Sequence, residues 1–403
     1  MSLTASLRTV SLLGTCLAVL ALAGCGGSDA APAERLRAGA LVALSGDAAP
    51  IGRAQERAMR LAVEELNERG GIHGTQLQLL VADSGTDPAR AESEMRRLIA
   101  DEEVVAVLGP TLSVEAVRAD PVADGLRTPV LAVSNTAERI VGDCAYDCDW
   151  IWRNSVGADR TVAANVAYAT SSGRPATAAL LTAGPGDLLA ATEARVAAAT
   201  FDAAGVEVVS EVTLREPTSG EPAIAAEVAN ALRGRPDVLF VTASDLVLAT
   251  EVFAEVRRQR FAGRLLGGDI LNGASETPAA AAALRGVRSG AAWFAGNDFP
   301  ANAHFVRVFR AVYDVAPDQF AAQAYSGVAI LAQAIERGDA NGGELSLGDR
   351  RAAVQDGLGE VALTTPLGPF RFTRDHDVDQ IVWIIEANGD GGHDLVQFCD
   401  PDC

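Results

Sequence analysis

The sequence predicts an α/β protein built as two doubly wound lobes, each a mostly parallel sheet with helices on both faces. Three observations predict it. Short apolar runs alternate with stretches of helical periodicity along nearly the whole chain, which is the pattern of parallel strands joined by helical crossovers. Most runs end in a turn rich in Gly, Ser, Asp or Asn, and the alternation starts afresh after residue 150. At 403 residues the chain also exceeds one comfortable core, so two lobes are expected.

The first element is an apolar run at residues 41–44 that ends in Ser45-Gly46-Asp47 and gives way to Ala54, Ala58, Leu61, Ala62 and Leu66. That spacing puts one apolar stripe on a helix, which stops at Gly70-Gly71 because glycine accepts the left-handed conformation past a helix end. A second strand at 77–82 ends at Asp83, and Asp87-Pro88 then supplies an N-cap and first helical residue for a helix carrying Ala91, Met95, Leu98 and Ile99. Strand 104–108 runs into Gly109-Pro110-Thr111-Leu112-Ser113 with a helix from about Ser113, and strand 130–133 into Ser134-Asn135-Thr136. In the second half, helices are expected over 158–170, 188–204, 223–232 and 246–258, with strands over 178–182, 206–212, 238–242 and 265–268. Helices over 303–313, 320–337 and 349–357 follow, then a turn at Thr365 to Pro369 and strands over 381–385 and 394–398. Residues 340–344 read as a linker.

The N-terminus belongs to neither lobe. Arg8 precedes an apolar stretch at 10–22, too short to span a bilayer, so residues 1–24 read as a secretory signal. Leu22-Ala23-Gly24-Cys25 resembles the lipobox of bacterial lipoproteins. That resemblance implies cleavage before Cys25 and lipidation of its thiol, with residues 25–35 as a tether. Cys16 leaves with the signal, and Cys144, Cys148, Cys399 and Cys403 remain in an oxidising compartment. The local pairs Cys144 with Cys148 and Cys399 with Cys403 are favoured, cross-pairs stay open, and a tetrathiolate zinc centre is the alternative.

Composition narrows the chemistry. The formal net charge is −20, and all 33 basic residues are arginine. An acidic chain without a basic cluster is a poor partner for nucleic acid or anionic lipid, and without lysine neither Schiff-base nor P-loop chemistry is available. His73, His304, His376 and His393 are scattered, Gly184-Pro185-Gly186 lacks the third glycine of a dinucleotide loop, and no hydrolase motif is present. No enzymatic activity, cofactor or resident metal is expected.

What remains is a set of polar residues at predicted strand ends. Ser113, Ser134 and Thr136 lie just past neighbouring strands of the first half, and Ser113 sits where free helix N–H groups favour an anion. Asp245 and Asp269 end strands of the second half. The same residues would also serve as N-caps and turn formers.

In order and spacing, ALVALSGDAAPIG, LAVEELNERGGIHG, VVAVLGPTLS, TPVLAVSNTAERI, WIWRN, PDVLFVTASD, LLGGD and QFAAQAYSGVAILAQAIERG resemble the type I periplasmic binding proteins of the Leu/Ile/Val-binding family. The resemblance implies two Rossmann-like lobes joined by a three-crossing hinge, with crossings near 152–154, 292–297 and 366–370. The first lobe would hold residues 36–153 plus 293–367, the second 154–292 plus 368–403. It implies an exported, lipid-anchored monomer, in the periplasm or on a membrane face, that captures a small polar ligand and delivers it to an ABC permease. A sensing or cell-wall-regulating lipoprotein of the same fold is the alternative. Residue by residue, Ser113 matches the serine that binds an amino acid's carboxylate, Ser134 and Thr136 (or Asn135) complete that cradle, Asp269 takes the ammonium, and Phe320 lines the side-chain pocket. The chain departs from the pattern at Ile51, Pro185 and Asp245, where aromatics are usual. Losing them while gaining Asp245 points to a ligand that is cationic or carries a second donor group.

Overall fold

The first strand, β1 (Leu36–Val42), begins five residues before the expected run at 41–44, whose last two residues already belong to the following loop; its residues are almost all buried because the strand lies inside a sheet covered on both faces. β2 (Leu77–Asp83), β3 (Ala106–Leu108), β4 (Val130–Ala132) and β5 (Ile151–Arg153) join it in the order β2-β1-β3-β4-β5, all parallel. The crossovers are α1 (Ala49–Glu68), α2 (Pro88–Ala100) and α3 (Ser113–Gly125). Asp87 caps α2 by accepting the Ala89 and Arg90 N–H groups. This computed structural model describes residues 36–142, 144–171, 173–184, 186–215, 222–273, 278–339 and 345–399. The signal segment, the tether with Cys25, Pro185, the 340–344 linker and Cys403 lie outside the described residues.

From β5 the chain enters α4 (Ala158–Ser171) and a second sheet. β6 (Thr177–Thr182), α5 (Leu188–Ala203), β7 (Glu207–Thr213), α6 (Pro222–Ala231), β8 (Val238–Thr242), α7 (Leu246–Arg258) and β9 (Arg264–Gly267) follow. A 3-10 turn (Asp269–Asn272), α8 (Pro278–Leu284) and β10 (Val287–Ala291) complete its parallel part. α9 (Pro300–Tyr313), α10 (Gln319–Gly338) and α11 (Leu347–Leu358) return to the first sheet, where α10 packs along α1 and α11. β11 (Ala362–Thr365) and β12 (Gly368–Arg371) form a separate ribbon. β13 (Val382–Ala387) and β14 (His393–Cys399) then add an antiparallel edge, giving β14-β13-β10-β9-β8-β6-β7.

Two departures from the sequence-based expectation have physical causes. β10 carries no recognisable strand pattern because Ser289 and Gly290 interrupt it. Gly290 is needed there, since a Cβ would lie 2.0 Å from the Thr161 carbonyl oxygen. The turn at 365–369 belongs to the β11–β12 ribbon, so residues 372–381 make the passage to the second sheet. That passage is tied to the first one. Arg153, nearly buried, pairs with Asp377 through two nitrogens and donates to the Ala137 carbonyl at 3.1 Å. His376 stacks on Trp152 at 3.8 Å between centroids and donates from Nδ1 to the Ile151 carbonyl, and burial pushes its pKa below the ordinary value.

Cys144 and Cys148 form a disulfide beside α3, so neither is a thiolate able to ligate zinc. Cys399 is also disulfide-bonded.

Candidate ligand site between the lobes

Strand order places the site. In the first sheet β1 leads outward to β2 and the chain then jumps back to β3, so the loops after β1 and β3 diverge at a topological switch point. In the second sheet the same happens after β6 and β8. Open α/β sheets bind ligands in such crevices. The loops concerned are 43–48, 109–112, 183–187 and 243–245, with residue 185 outside the described set.

The 43–48 loop is held by the end of β2. Asp83 accepts from the N–H groups of Leu44 (2.8 Å) and Gly85 (2.8 Å) and from the Ser45 hydroxyl (2.7 Å), and pairs with Arg90 at 3.0 Å. Partial burial opposes its charge, but these donors outweigh burial and keep its pKa below the ordinary carboxylate value. Thr86 ties the same loop by accepting from Ala48 N–H and donating to the Ser45 carbonyl. Gly46, at φ +79°, is required there: a Cβ would meet the Gly85 carbonyl oxygen and the Thr86 side chain at 2.6 Å. So fixed, the loop delivers Ile51 into the apolar cluster of the second lobe, where it shares a core with Phe320, Ala183, Ala243 and Leu271. Ile51 and Phe320, far apart in sequence, thus belong to one core.

The polar residues of the first lobe form a buried lattice. Thr111 Oγ1 accepts from Ala43 N–H (2.9 Å) and donates to Gln55 Oε1 (2.7 Å); Gln55 Nε2 donates to Ser134 Oγ (2.7 Å), which donates to the Thr111 carbonyl (2.7 Å). Ser113 is the first residue of α3, and its hydroxyl accepts from Ala137 N–H at 3.3 Å, so it is not the side-chain cap of that helix. The Ser134 hydroxyl is thus committed within the protein. By contrast Thr136 Oγ1, Asn135 Oδ1, Asn154 Oδ1 and both polar atoms of the Gln323 amide are buried with no hydrogen-bond partner among the described residues. Unpaired buried polar atoms are costly. Here they gather around the first crossing, where Asn154 Nδ2 donates to the Gln323 carbonyl and Ser155 to the Asn135 carbonyl.

On the second lobe, Asp269 is buried at the start of the 3-10 turn and accepts from Gln319 Nε2 (2.7 Å) and Asn272 Nδ2 (3.2 Å). Gln319 opens α10 and also accepts from Ala292 N–H at 2.7 Å, so the contact links the turn to the second crossing. Behind it lies Glu193 of α5, fully buried, which accepts from Asp269 N–H at 2.7 Å and bonds the Thr242 hydroxyl. Burial, opposed only in part by these hydrogen bonds, raises Glu193 to about 8 and Asp269 to about 6. Sequence reading missed Glu193, although an acid spaced with Leu189 and Val196 on a buried helical stripe was its signal.

Asp245 caps α7, accepting from Val247 N–H at 2.7 Å. Burial, followed by the charges of Asp47 and Asp187, raises its pKa. It lines a cavity of about 340 Å3 with Asp47, Pro50 and Ile51 of the first lobe and Ser244, Leu246, Val247, Thr250, Glu251, Ala254, Ala279, Ala280 and Ala283 of the second. Of the expected site residues, Ile51 and Asp245 come together at this chamber; Ser113, Ser134, Asn135 and Thr136 lie in the first-lobe lattice, and Asp269 in the turn below Gln319. Among the described residues no group of three or more His, Cys, Asp and Glu is arranged to hold a metal ion.

The model of the periplasmic binding proteins matches residues 35–392. The chain belongs to the periplasmic binding protein family. The fold of this periplasmic binding protein is similar to the leucine binding protein LivK of Thermotoga maritima (TM-score 0.79, 18% identity, covering 91% of this chain and 99% of that one). It is also similar to a solute binding protein of an R. palustris ABC transporter solved with benzoate (TM-score 0.79, 22% identity, 92% and 98%). A curated relative, Leu/Ile/Val-binding protein homolog 7 of Brucella abortus, is 34% identical over 114 residues; the match spans 28% of this chain and 28% of that relative.

Proposed function

We propose that this protein is an extracytoplasmic solute-binding lipoprotein that captures a small polar ligand between its lobes and hands it to the permease of an ABC importer. An amino acid, or an amino-acid-like or amide compound, is the class favoured. One observation supports the reading: Asp47 of the 43–48 loop and Ser244 and Asp245 of the 243–245 loop, each at the switch point of its own sheet, line one cavity; Thr136 and Asn135 add unpaired buried polar atoms in the first lobe, and Asp269 a buried carboxylate in the second. Hydroxyls and helix N-termini suit a carboxylate, and a buried carboxylate suits an ammonium. The hinge is formed by the passages near 153–158, 292–299 and 372–381, about which residues 36–153 with 293–371 move against 154–292 with 382–399. The chain acts as a monomer, held to the membrane through Cys25; no helix among the described residues is long and apolar enough to cross a bilayer.

A thermal-shift screen with amino acids, amides, polyamines and short peptides tests the reading. A ligand at a hundredfold over its Kd stabilises the fold by about 2.7 kcal/mol, so a cognate compound produces a clear rise in Tm. No rise across the panel, in protein verified free of carried-over ligand, refutes it. Replacing Cys25 by serine is expected to release the protein from the membrane fraction.

A further inference from the structure

The chamber between the 43–48 loop and α7 has an uneven lining. Its walls are apolar, formed by Pro50, Ile51, Leu246, Val247 and alanines of α7 and α8, and its charged groups are three carboxylates, Asp47, Asp245 and Glu251; no arginine or histidine is among its lining residues. The carboxylates come from opposite lobes: Asp47 precedes α1, while Asp245 and Glu251 belong to the cap and body of α7. Closing the lobes therefore brings like charges toward one another beside apolar walls, where water screens them less than in bulk. Bridging by a cation turns that repulsion into attraction.

An inorganic ion fits this lining poorly. Calcium takes six to eight oxygen ligands and magnesium a near-ideal octahedron, whereas most of the wall is hydrocarbon. A carboxylate placed here would meet three charges of its own sign. An organic cation satisfies both parts, its hydrocarbon body against the wall and its charge toward the acids.

On the reading of this cleft as a solute site, we propose that its ligand is a small organic ammonium compound, with the hydrocarbon part held by Ile51, Leu246 and Val247 and the ammonium held between Asp47 and Asp245 as the lobes close. Ligand charge then contributes to closure as well as to affinity, because it removes the repulsion that opposes the closed state.

Isothermal titration of the whole mature chain with isopentylammonium, 2-phenylethylammonium, leucine and benzoate tests this. The Asp245→Asn variant keeps the α7 cap, since an asparagine carbonyl accepts the same N–H groups, and Asp47→Asn removes the partner charge from an exposed loop; unchanged Tm values check that both fold. The expected result is that the ammonium compounds bind more tightly than leucine or benzoate and that each substitution weakens them about 10- to 100-fold. Binding of leucine or benzoate without the amines overturns the ligand class while leaving the solute-binding reading intact. Amine binding unaffected by either substitution overturns the placement. No binding by any of the four probes overturns the proposal, and the broader thermal-shift panel then decides the solute-binding reading separately.

Discussion

Replacing Glu193 by glutamine tests whether the carboxyl behind Asp269 is held neutral. In the folded protein its pKa stands at about 8, against 4.5 for the free side chain, with burial as the main cause. A carboxyl raised in this way contributes its full stability below 4.5, where both states are protonated. Between 4.5 and about 8 the unfolded chain has lost the proton that the folded chain keeps, so stability falls with rising pH, and the loss is complete above 8. At about 1.4 kcal/mol per pH unit the window amounts to about 3 to 5 kcal/mol. A folded body of this size has an unfolding entropy of about 0.8 kcal/mol per kelvin, so the effect corresponds to about 4 to 6 K. Glutamine is the shape of a neutral glutamic acid: its carbonyl accepts the Asp269 N–H and its amide donates to Thr242. The variant is therefore expected to match the wild type near pH 5 and to exceed it by several kelvin at pH 9. Asp269, at about 6, and Asp120, which burial raises well above the ordinary value, titrate in both proteins, so the difference between the two reports Glu193. Differential scanning calorimetry from pH 5 to pH 9 reads the difference. Parallel curves for the two proteins would refute the assignment of a buried proton to Glu193.

Gly268→Ala is expected to reproduce the loss of Glu193, because the new Cβ would lie 1.8 Å from its Oε2 and the side chain must withdraw from Asp269 N–H; a Tm equal to wild type would show that the turn absorbs the methyl group. Asp377→Ala strips Arg153, only 6% exposed, of its bidentate partner at the hinge; because Asp377 itself is 30% exposed, the expected cost is about 2 kcal/mol, below that of a fully buried pair, measured as a drop in Tm. Cys144→Ser with Cys148→Ser opens the short disulfide loop and is expected to lower stability by about 2 kcal/mol on the chain-entropy account, checked by calorimetry without reductant. Wild-type protein that releases both thiols to a labelling reagent before reduction would contradict that pairing.

The sheets were largely legible in the sequence because a strand buried on both faces must be apolar throughout and a surface helix must be apolar along one stripe; β6, β8, α1, α2 and α7 announce themselves in this way, whereas the first half of β1, with Arg37 and Gly39, does not. Elements whose residues answer to distant neighbours did not. β5 is three residues long and reads as a passage, β10 gives up strand character at Gly290 to admit the Thr161 carbonyl, and β11 and β12 meet only through their own turn.

The strand-end loop that leads into α1 and Ile51 illustrates the same division within the site. By itself the sequence determined that this loop, Ser113, Ser134 to Thr136, Asp245 and Asp269 all fall at strand ends, because strand, turn and helix signals are local. Which of them share a surroundings was decided only by the tertiary structure. Ile51 reaches the core of the opposite lobe, Ser134 is consumed by Gln55 and Thr111 while Thr136 keeps an unpaired hydroxyl, and Glu193 lies beneath Asp269. Hydrogen-bond satisfaction and charge depend on partners that the chain brings together across tens to hundreds of residues, and no local pattern in the sequence encodes them.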